Sequence, residues 1–320
     1  MASIKKILIT ENKDFSSKAI ELISDLAEVE AGDLDRIQLL DKVRDVDVLW
    51  LRLRHQIDKE VFDAASKLKY IVTPTTGLNH IDMEKAKARG IKVLSLRGEV
   101  EFLQNIRASA EHTMALMLAV LRNLPAASLS VDCGGWQRDP YKGRELYETR
   151  VGLLGFGRIG KLVARYLHAF GSEILAHDPK VEQDENFPYV QFVTREELLR
   201  TSDLVSLHVD LNPATVSFFG AEDFQLMKEG SYFINTSRGE LLDEESLLRS
   251  LEQGKLAGAG LDVVWNEHQV EQGASHLITY AKHHSNVVIT PHIAGCTEES
   301  MAKTEIFMAR KLVQALEREV

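Results

Sequence analysis

Short apolar runs alternate with amphipathic stretches along the first hundred residues. "KKILIT", "AEVEAG", "DVLWLR", "YIVTPTTG" and "IKVLSL" read as strands, separated by the helical patterns "FSSKAIELISDLA", "DRIQLLDKVR", "DKEVFDAASKL" and "DMEKAKARG". This alternation predicts a parallel sheet with helices on both faces, where ligands sit beyond the carboxyl ends of the strands. Two segments at that edge carry polar groups. "YIVTPTTGLNH" ends in a glycine-bearing loop, and "VLWLRLRHQ" puts Arg52 and Arg54 at alternating positions, hence on one face of the strand end. Such a pair is either a solvated rim or a site that holds an anion.

The pattern changes after residue 100. "NIRASAEHTMALMLAVLRNLPAAS" predicts one long helix, apolar nearly all round in its middle, which suits a core or a contact with another subunit. A second βα series runs from "TRVGLLGFGRIG" to "SNVVIT", and "TEESMAKTEIFMARKLVQALEREV" predicts a closing amphipathic helix. No repeat, low-complexity segment or Pro- or Ser-rich linker interrupts the chain. At 320 residues it is long for one hydrophobic core. Two domains joined by helices are expected, an arrangement suited to hinge motion about a cleft.

The composition narrows the class. The 38 basic and 48 acidic residues give a net charge of -10, which argues against nucleic acid as a partner. No stretch approaches the roughly 20 apolar residues of a membrane span, and "MASIKKILITENKD" lacks the apolar run and cleavage site of a secretion signal. Cys133 and Cys296 cannot form a disulfide framework and lack metal-ligand spacing, so free thiols and a cytoplasmic location are expected. The chain ends soon after its last helix, so no appended regulatory domain is expected.

"VGLLGFGRIGKLVARYLHAFG" is an apolar strand, a glycine turn and a helix. Gly155, Gly157 and Gly160 have the G-x-G-x-x-G spacing: a tight turn, a close approach of backbone to pyrophosphate, and close helix–strand packing. The helix N-terminus, with Arg158 and Ile159 in its first turn, offers N–H groups and a positive dipole to the anion. "EILAHDP" follows as a second strand, ending in Asp178 near the spacing of about 20 residues expected for a ribose-binding carboxylate. That carboxylate would repel a 2′-phosphate, so the pattern predicts NAD over NADP, although Arg158 and Lys180 are nearby cations. His208, ending the apolar "DLVSLH", and Thr236 and Ser237, ending "YFINTS", are further candidate cofactor contacts.

Three later strand ends carry the candidate chemistry: "YFINTSRGELLD" with Arg238, "AGAGLDVVWNEH" with Asp262 and Glu267, and "NVVITPHIAGCT" with His292. If these strands share the cofactor's sheet, an arginine, a carboxylate and a histidine converge at one edge. Arg238 would bind a carboxylate and polarise the reacting oxygen. His292 would serve as general acid or base, and Glu267 would stabilise its imidazolium.

The stretches "GLLGFGRIG", "AHDP", "DLVSLHV", "FINTSRGELLDEESL", "LAGAGLDV" and "TPHIAG" resemble, in order, the D-isomer-specific 2-hydroxyacid dehydrogenase family over nearly the whole chain. The resemblance implies an α/β protein of two doubly wound parallel-sheet domains. A Rossmann NAD-binding domain, 101–290, would be inserted into a flavodoxin-like substrate-binding domain, 1–100 plus 291–320. It assigns Arg238 to substrate binding, Glu267 and His292 to the acid/base pair, and Asp262 to the nicotinamide carboxamide. Thr76 and Gly77 would offer backbone donors to the substrate carboxylate. It also implies a homodimer through the region of the apolar helix at 105–122. Departures from the family's wording are Asp210 and His268, where proline is usual, and a loop carrying His268, His276, His283 and His284. Those histidines read as solvated rather than metal-binding. Glu111 and His112 read as a capped or interface pair.

The resemblance implies NAD-dependent hydride transfer between a D-2-hydroxy acid and its 2-oxo acid. Phosphoglycerate dehydrogenases resemble "LRLRH", with arginines that read the phosphate, which makes 3-phosphoglycerate the preferred substrate with Arg52 and Arg54 as its ligands. Glyoxylate or hydroxypyruvate is the alternative. The same scaffold serves dinucleotide-sensing transcriptional corepressors, against which the lack of long disordered extensions speaks. Formate-oxidising relatives resemble a site with glutamine for Glu267, and phosphite-oxidising ones a site with lysine for Thr76; neither fits well.

Overall fold

In a computed structural model, the described residues are 4–267, 270 and 275–318. They form two compact units. One comprises residues 1–106 and 296–320, and the other, 107–295, is inserted between them. These divisions fall a few residues later than the expected 100/101 and 290/291. Leu103 and Ile106 still belong to the first unit's core, while Ile293 and Ala294 are hydrogen-bonded to Asp262 of the second.

The first unit is a five-stranded parallel sheet of β1 (Lys6–Ile9), β2 (Glu28–Ala31), β3 (Val48–Trp50), β4 (Tyr70–Val72) and β5 (Lys92–Leu94), in the order β2-β1-β3-β4-β5. Successive side chains feed opposite faces, as a strand's period of two requires. Leu8, Leu49 and Ile71 enter one apolar cluster, whereas Ile7, Ile9, Val48, Trp50, Tyr70 and Val72 enter the other. The closing helix Glu298–Glu317 returns to this unit and buries Met308, Ala309 and Leu312 in the second cluster. Side chains cap the helices: Ser16, Asp35, Asp58, Asp82 and Thr297 each accept first-turn N–H groups.

The inserted unit has seven parallel strands: β6 (Arg150–Leu154), β7 (Glu173–His177), β8 (Val190–Phe192), β9 (Leu204–Leu207), β10 (Ser231–Asn235), β11 (Leu256–Leu261) and β12 (Val287–Ile289). Their order is β12-β11-β10-β9-β6-β7-β8. The order reverses about β6 and β9, which places a switch point, and hence a ligand crevice, at their carboxyl ends.

The long apolar helix differs from expectation. It is two helices, Ala108–Leu121 and Leu124–Asp132, divided at Asn123, whose φ of 52° is left-handed. Pro125, lacking an N–H, is tolerated only in the first turn of a new helix. The first helix is apolar because it is buried in its own unit against β10, β11, β12 and the helix Arg158–Ala169. The second buries no residue. It leaves Leu124, Leu129 and Val131 half-exposed or more, with Trp136 just beyond 89% exposed.

Among the described residues no single helix is long and apolar enough to cross a membrane, and no group of three metal-ligating side chains occurs. Of the loop histidines, His268 lies outside the described residues. His276 is exposed beside Glu245, and His284 stacks on Tyr280.

Candidate active site

β6 runs into Gly155, whose φ of 95° excludes an ordinary side chain and whose Cβ would lie 2.4 Å from the His208 carbonyl oxygen. Gly157 is the reverse case: a Cβ there would meet nothing within 4 Å. It begins the helix Arg158–Ala169 with no side chain capping the first N–H groups. A helix N-terminus without a side-chain cap, beside open space at the switch point, fits a dinucleotide pyrophosphate. Gly160 lets the helix sit against the Gly155 carbonyl, and half-buried Ile159 packs on the core.

Asp178, one residue past β7, accepts the Phe156 N–H at 2.9 Å and the Lys180 N–H at 2.9 Å. It therefore holds the glycine turn. Burial lowers the pKa of Arg158, and the charge of Asp210 opposes that shift. His208 keeps part of its surface in solvent, yet its Nδ1 is covered and lacks a partner, while Nε2 meets Ser206 Oγ at 3.0 Å. Burial lowers its pKa to about 4, so the ring is neutral. Thr236 bonds to Thr113, and Ser237 donates to the Leu207 carbonyl.

The remaining residues cluster at the ends of β10, β11 and β12. After β10, Asn235 ties the turn by donating to the Arg238 carbonyl and accepting from the Ser237 N–H. Burial lowers the pKa of Arg238, against the raising influence of Glu267, Glu240, Asp210 and Asp262. The guanidinium is therefore a desolvated cation in an acidic surround. After β12, His292 sits at φ 53°, with its N–H directed to the Asp262 and Thr290 carbonyls. Its Nδ1 lies 2.6 Å from Glu267 Oε2, although the two residues stand at the ends of different strands.

Asp262 organises this loop. Oδ1 accepts from the Thr290 hydroxyl (2.6 Å) and the Ile293 N–H (2.9 Å), and Oδ2 from the Ala294 N–H (2.8 Å). His112 Nε2 reaches Thr290 Oγ1 at 2.9 Å and Asp262 Oδ1 at 3.3 Å. Burial would raise the Asp262 pKa, but these hydrogen bonds outweigh it and hold the carboxyl below its usual range. A cavity of about 530 Å³ opens here, lined by Asp262, Glu267, Thr290 and His292 with apolar Val264 and Ile289. Sequence reasoning did not find His112, Thr290 or Asn235 as parts of this site. A lone histidine on a buried helix face was the one available signal.

In the five-stranded unit, Thr76 is exposed at the turn after β4, held by the Thr75 hydroxyl donating to the Gly77 carbonyl at 2.8 Å. Arg52 is already paired. Its Nε and Nη2 donate to Glu305 Oε1 at 3.0 and 2.5 Å, and Nη1 donates to the Lys13 carbonyl. Arg54 is half-exposed and 3.6 Å from Asp33.

Comparison with known proteins gives the same outline. The family model described as "D-isomer specific 2-hydroxyacid dehydrogenase, NAD binding domain" matches residues 114–294. A D-3-phosphoglycerate dehydrogenase of Methanocaldococcus jannaschii is 35% identical over 98% of this chain, which spans 58% of that protein's length. A hydroxypyruvate reductase of Thermotoga maritima is 34% identical over 95% of this chain and 97% of its own. The crystal structure of Aquifex aeolicus D-lactate dehydrogenase with NAD and lactic acid superposes with a TM-score of 0.84 at 28% identity, covering 98% of this chain and 96% of that one.

Proposed function

Since this chain belongs to the D-isomer specific 2-hydroxyacid dehydrogenase family, we propose that it catalyses reversible NAD-dependent hydride transfer between a D-2-hydroxy acid and its 2-oxo acid. The observation that carries this reading is the His292–Glu267 pair, 2.6 Å apart on a turn anchored by Asp262. Gly155, Gly157, Arg158, Ile159 and Gly160 would hold the pyrophosphate of a dinucleotide, which when bound would supply or take up the hydride. Asp178 would accept the ribose hydroxyls and disfavour a 2′-phosphate, and His208, Thr236 and Ser237 would line the same crevice. Asp262 would meet the nicotinamide end through the loop it organises.

His292 gives its Nε2 proton to the carbonyl oxygen in reduction and removes the hydroxyl proton in oxidation. Glu267, on the other ring nitrogen, fixes the tautomer and stabilises the imidazolium. Arg238, desolvated and planar, takes the substrate carboxylate through two parallel hydrogen bonds. Thr76 and Gly77 are carried over from the family resemblance as candidate substrate contacts of the five-stranded unit. A homodimer is part of this reading, with the exposed apolar helix Leu124–Asp132 as the surface a second copy covers.

Arg52 and Arg54 point by sequence to 3-phosphoglycerate. The pairing of Arg52 with Glu305 favours instead a short acid without phosphate, of the hydroxypyruvate or glyoxylate kind. NADH oxidation with hydroxypyruvate, glyoxylate, pyruvate and 3-phosphohydroxypyruvate tests the reading. His292→Ala should lower kcat by about 10²–10⁴-fold while NADH still binds, as followed by its fluorescence. Unchanged turnover would remove the acid/base role. Tight NADH binding by the native chain without turnover of any acid would return the corepressor reading.

A further inference from the structure

Glu305 is a carboxylate on the apolar face of the closing helix, one turn before Met308 and Ala309, and its side chain is 0% exposed. Both oxygens are engaged: Oε1 with Arg52 and Oε2 with the Ser16 N–H at 2.7 Å. A second carboxylate, Glu11, is 8% exposed and accepts the backbone N–H groups of Arg52 (2.9 Å) and Arg54 (3.3 Å). The arginine strand end is therefore gripped twice, by its backbone and by its guanidinium. Phe15 packs under the same guanidinium, 5.6 Å from ring centroid to Cζ.

The sheet register sets Ile9, Trp50 and Val72 side by side. Thr10–Glu11, Arg52 and Thr73–Thr76 consequently follow at one carboxyl edge, where a parallel sheet presents ligand-binding groups. Among these groups the carboxylates outnumber the guanidiniums: Glu11, Glu305 and Asp33 stand against Arg52 and Arg54. A phosphate dianion gains most from a guanidinium free to give it charge-assisted, bidentate hydrogen bonds. It would have to compete for Arg52 with a carboxylate that has no access to solvent and cannot be left unpaired without a large penalty.

We propose that Glu305 is a specificity-determining positioning residue: by holding and neutralising Arg52 at the carboxyl edge of the five-stranded sheet, it turns the chain away from 2-hydroxy and 2-oxo acids bearing a distal phosphate. The proposal rests on the dehydrogenase reading above and adds which acids it selects. Arg52 is left with hydrogen-bonding capacity suited to an uncharged end such as a hydroxymethyl group.

The test compares 3-phosphohydroxypyruvate with hydroxypyruvate in the native chain, in Glu305→Gln and in the double variant Arg52→Met/Glu305→Met. Glu305→Gln should raise the ratio of kcat/KM for the phosphorylated to the unphosphorylated acid at least about tenfold, through KM rather than kcat. The double variant removes a neutral pair whole, a replacement that buried ion pairs tolerate. Its ratio should stay within about twofold of the native one. With NAD present, 3-phosphoglycerate should raise the Tm of Glu305→Gln and not that of the native chain. An unchanged ratio in folded Glu305→Gln would overturn the proposal, as would selective loss of the phosphorylated substrate in the double variant. If Glu305→Gln does not fold, the double variant decides alone. Should no acid be turned over by the native chain, the dehydrogenase reading fails, and the Tm response still reports on the phosphate separately.

Discussion

His292 holds a left-handed backbone setting that few residues with a Cβ adopt, and the hydrogen bonds around Asp262 keep it there. Gly239 has a comparable duty on the neighbouring turn. A Cβ at that position would lie 2.0 Å from the carbonyl carbon and oxygen of Val264, so the Arg238 turn can approach the 262–267 loop only because glycine is there. Gly239→Ala should therefore destabilise the chain by about 1–3 kcal/mol in urea unfolding. It should also lower kcat/KM, because Arg238 is pushed from Glu267; a variant of native stability would show that the turn yields freely. Arg238, Glu267 and His292 were legible as polar residues ending apolar strands. The contacts of His112 and Glu305 were not, since a charge or imidazole within a helix pattern says nothing about what faces it. Glu305 did leave a trace: it falls on the helical spacing of Met308, Ala309 and Leu312.

The strands follow from local alternation and buried apolar runs, and the helix caps are single Ser, Thr and Asp residues. One element went further than its pattern. The stretch expected as one helix breaks at Asn123, because the residue before the new helix takes the left-handed conformation and Pro125 fits only a first turn. The break separates two apolar surfaces with different fates. The helix Ala108–Leu121 fills its own unit, while Leu124–Asp132 exposes Leu129 at 63% and Val131 at 50%. Surfaces of that kind mark association sites. Sedimentation should show a dimer for the native chain and a shift toward monomer for Leu129→Asp, with the circular dichroism spectrum unchanged. A native monomer would leave this face without its second copy.

Across the whole molecule, a histidine in each unit has its pKa lowered to about 4: His55 by burial and then by Arg54 and Arg36, His208 by burial. The unfolded chain takes up these protons near pH 6.5, whereas the folded units refuse them until about pH 4. Stability is thus fully present above pH 6.5 and falls as pH drops toward 4, by up to about 3 kcal/mol per site. Urea unfolding at pH 7 and pH 5 should reveal this loss, and His55→Gln should reduce its slope; equal slopes in both proteins would refute the assignment. By itself the sequence determined the alternation of strands and helices apart from the break at Asn123, the glycine turn with Asp178 after it, and the polar residues at the strand ends. Each of these is a relation between near neighbours, carried by period or spacing. Only the tertiary structure decided the partners that no motif paired, Arg52 with Glu305 across 253 positions and His112 with Asp262, whereas Glu267 with His292 was already implied by the family resemblance. Such partners are chosen by long-range packing, and burial then fixes the choice, because a desolvated charge must find its counterpart within reach.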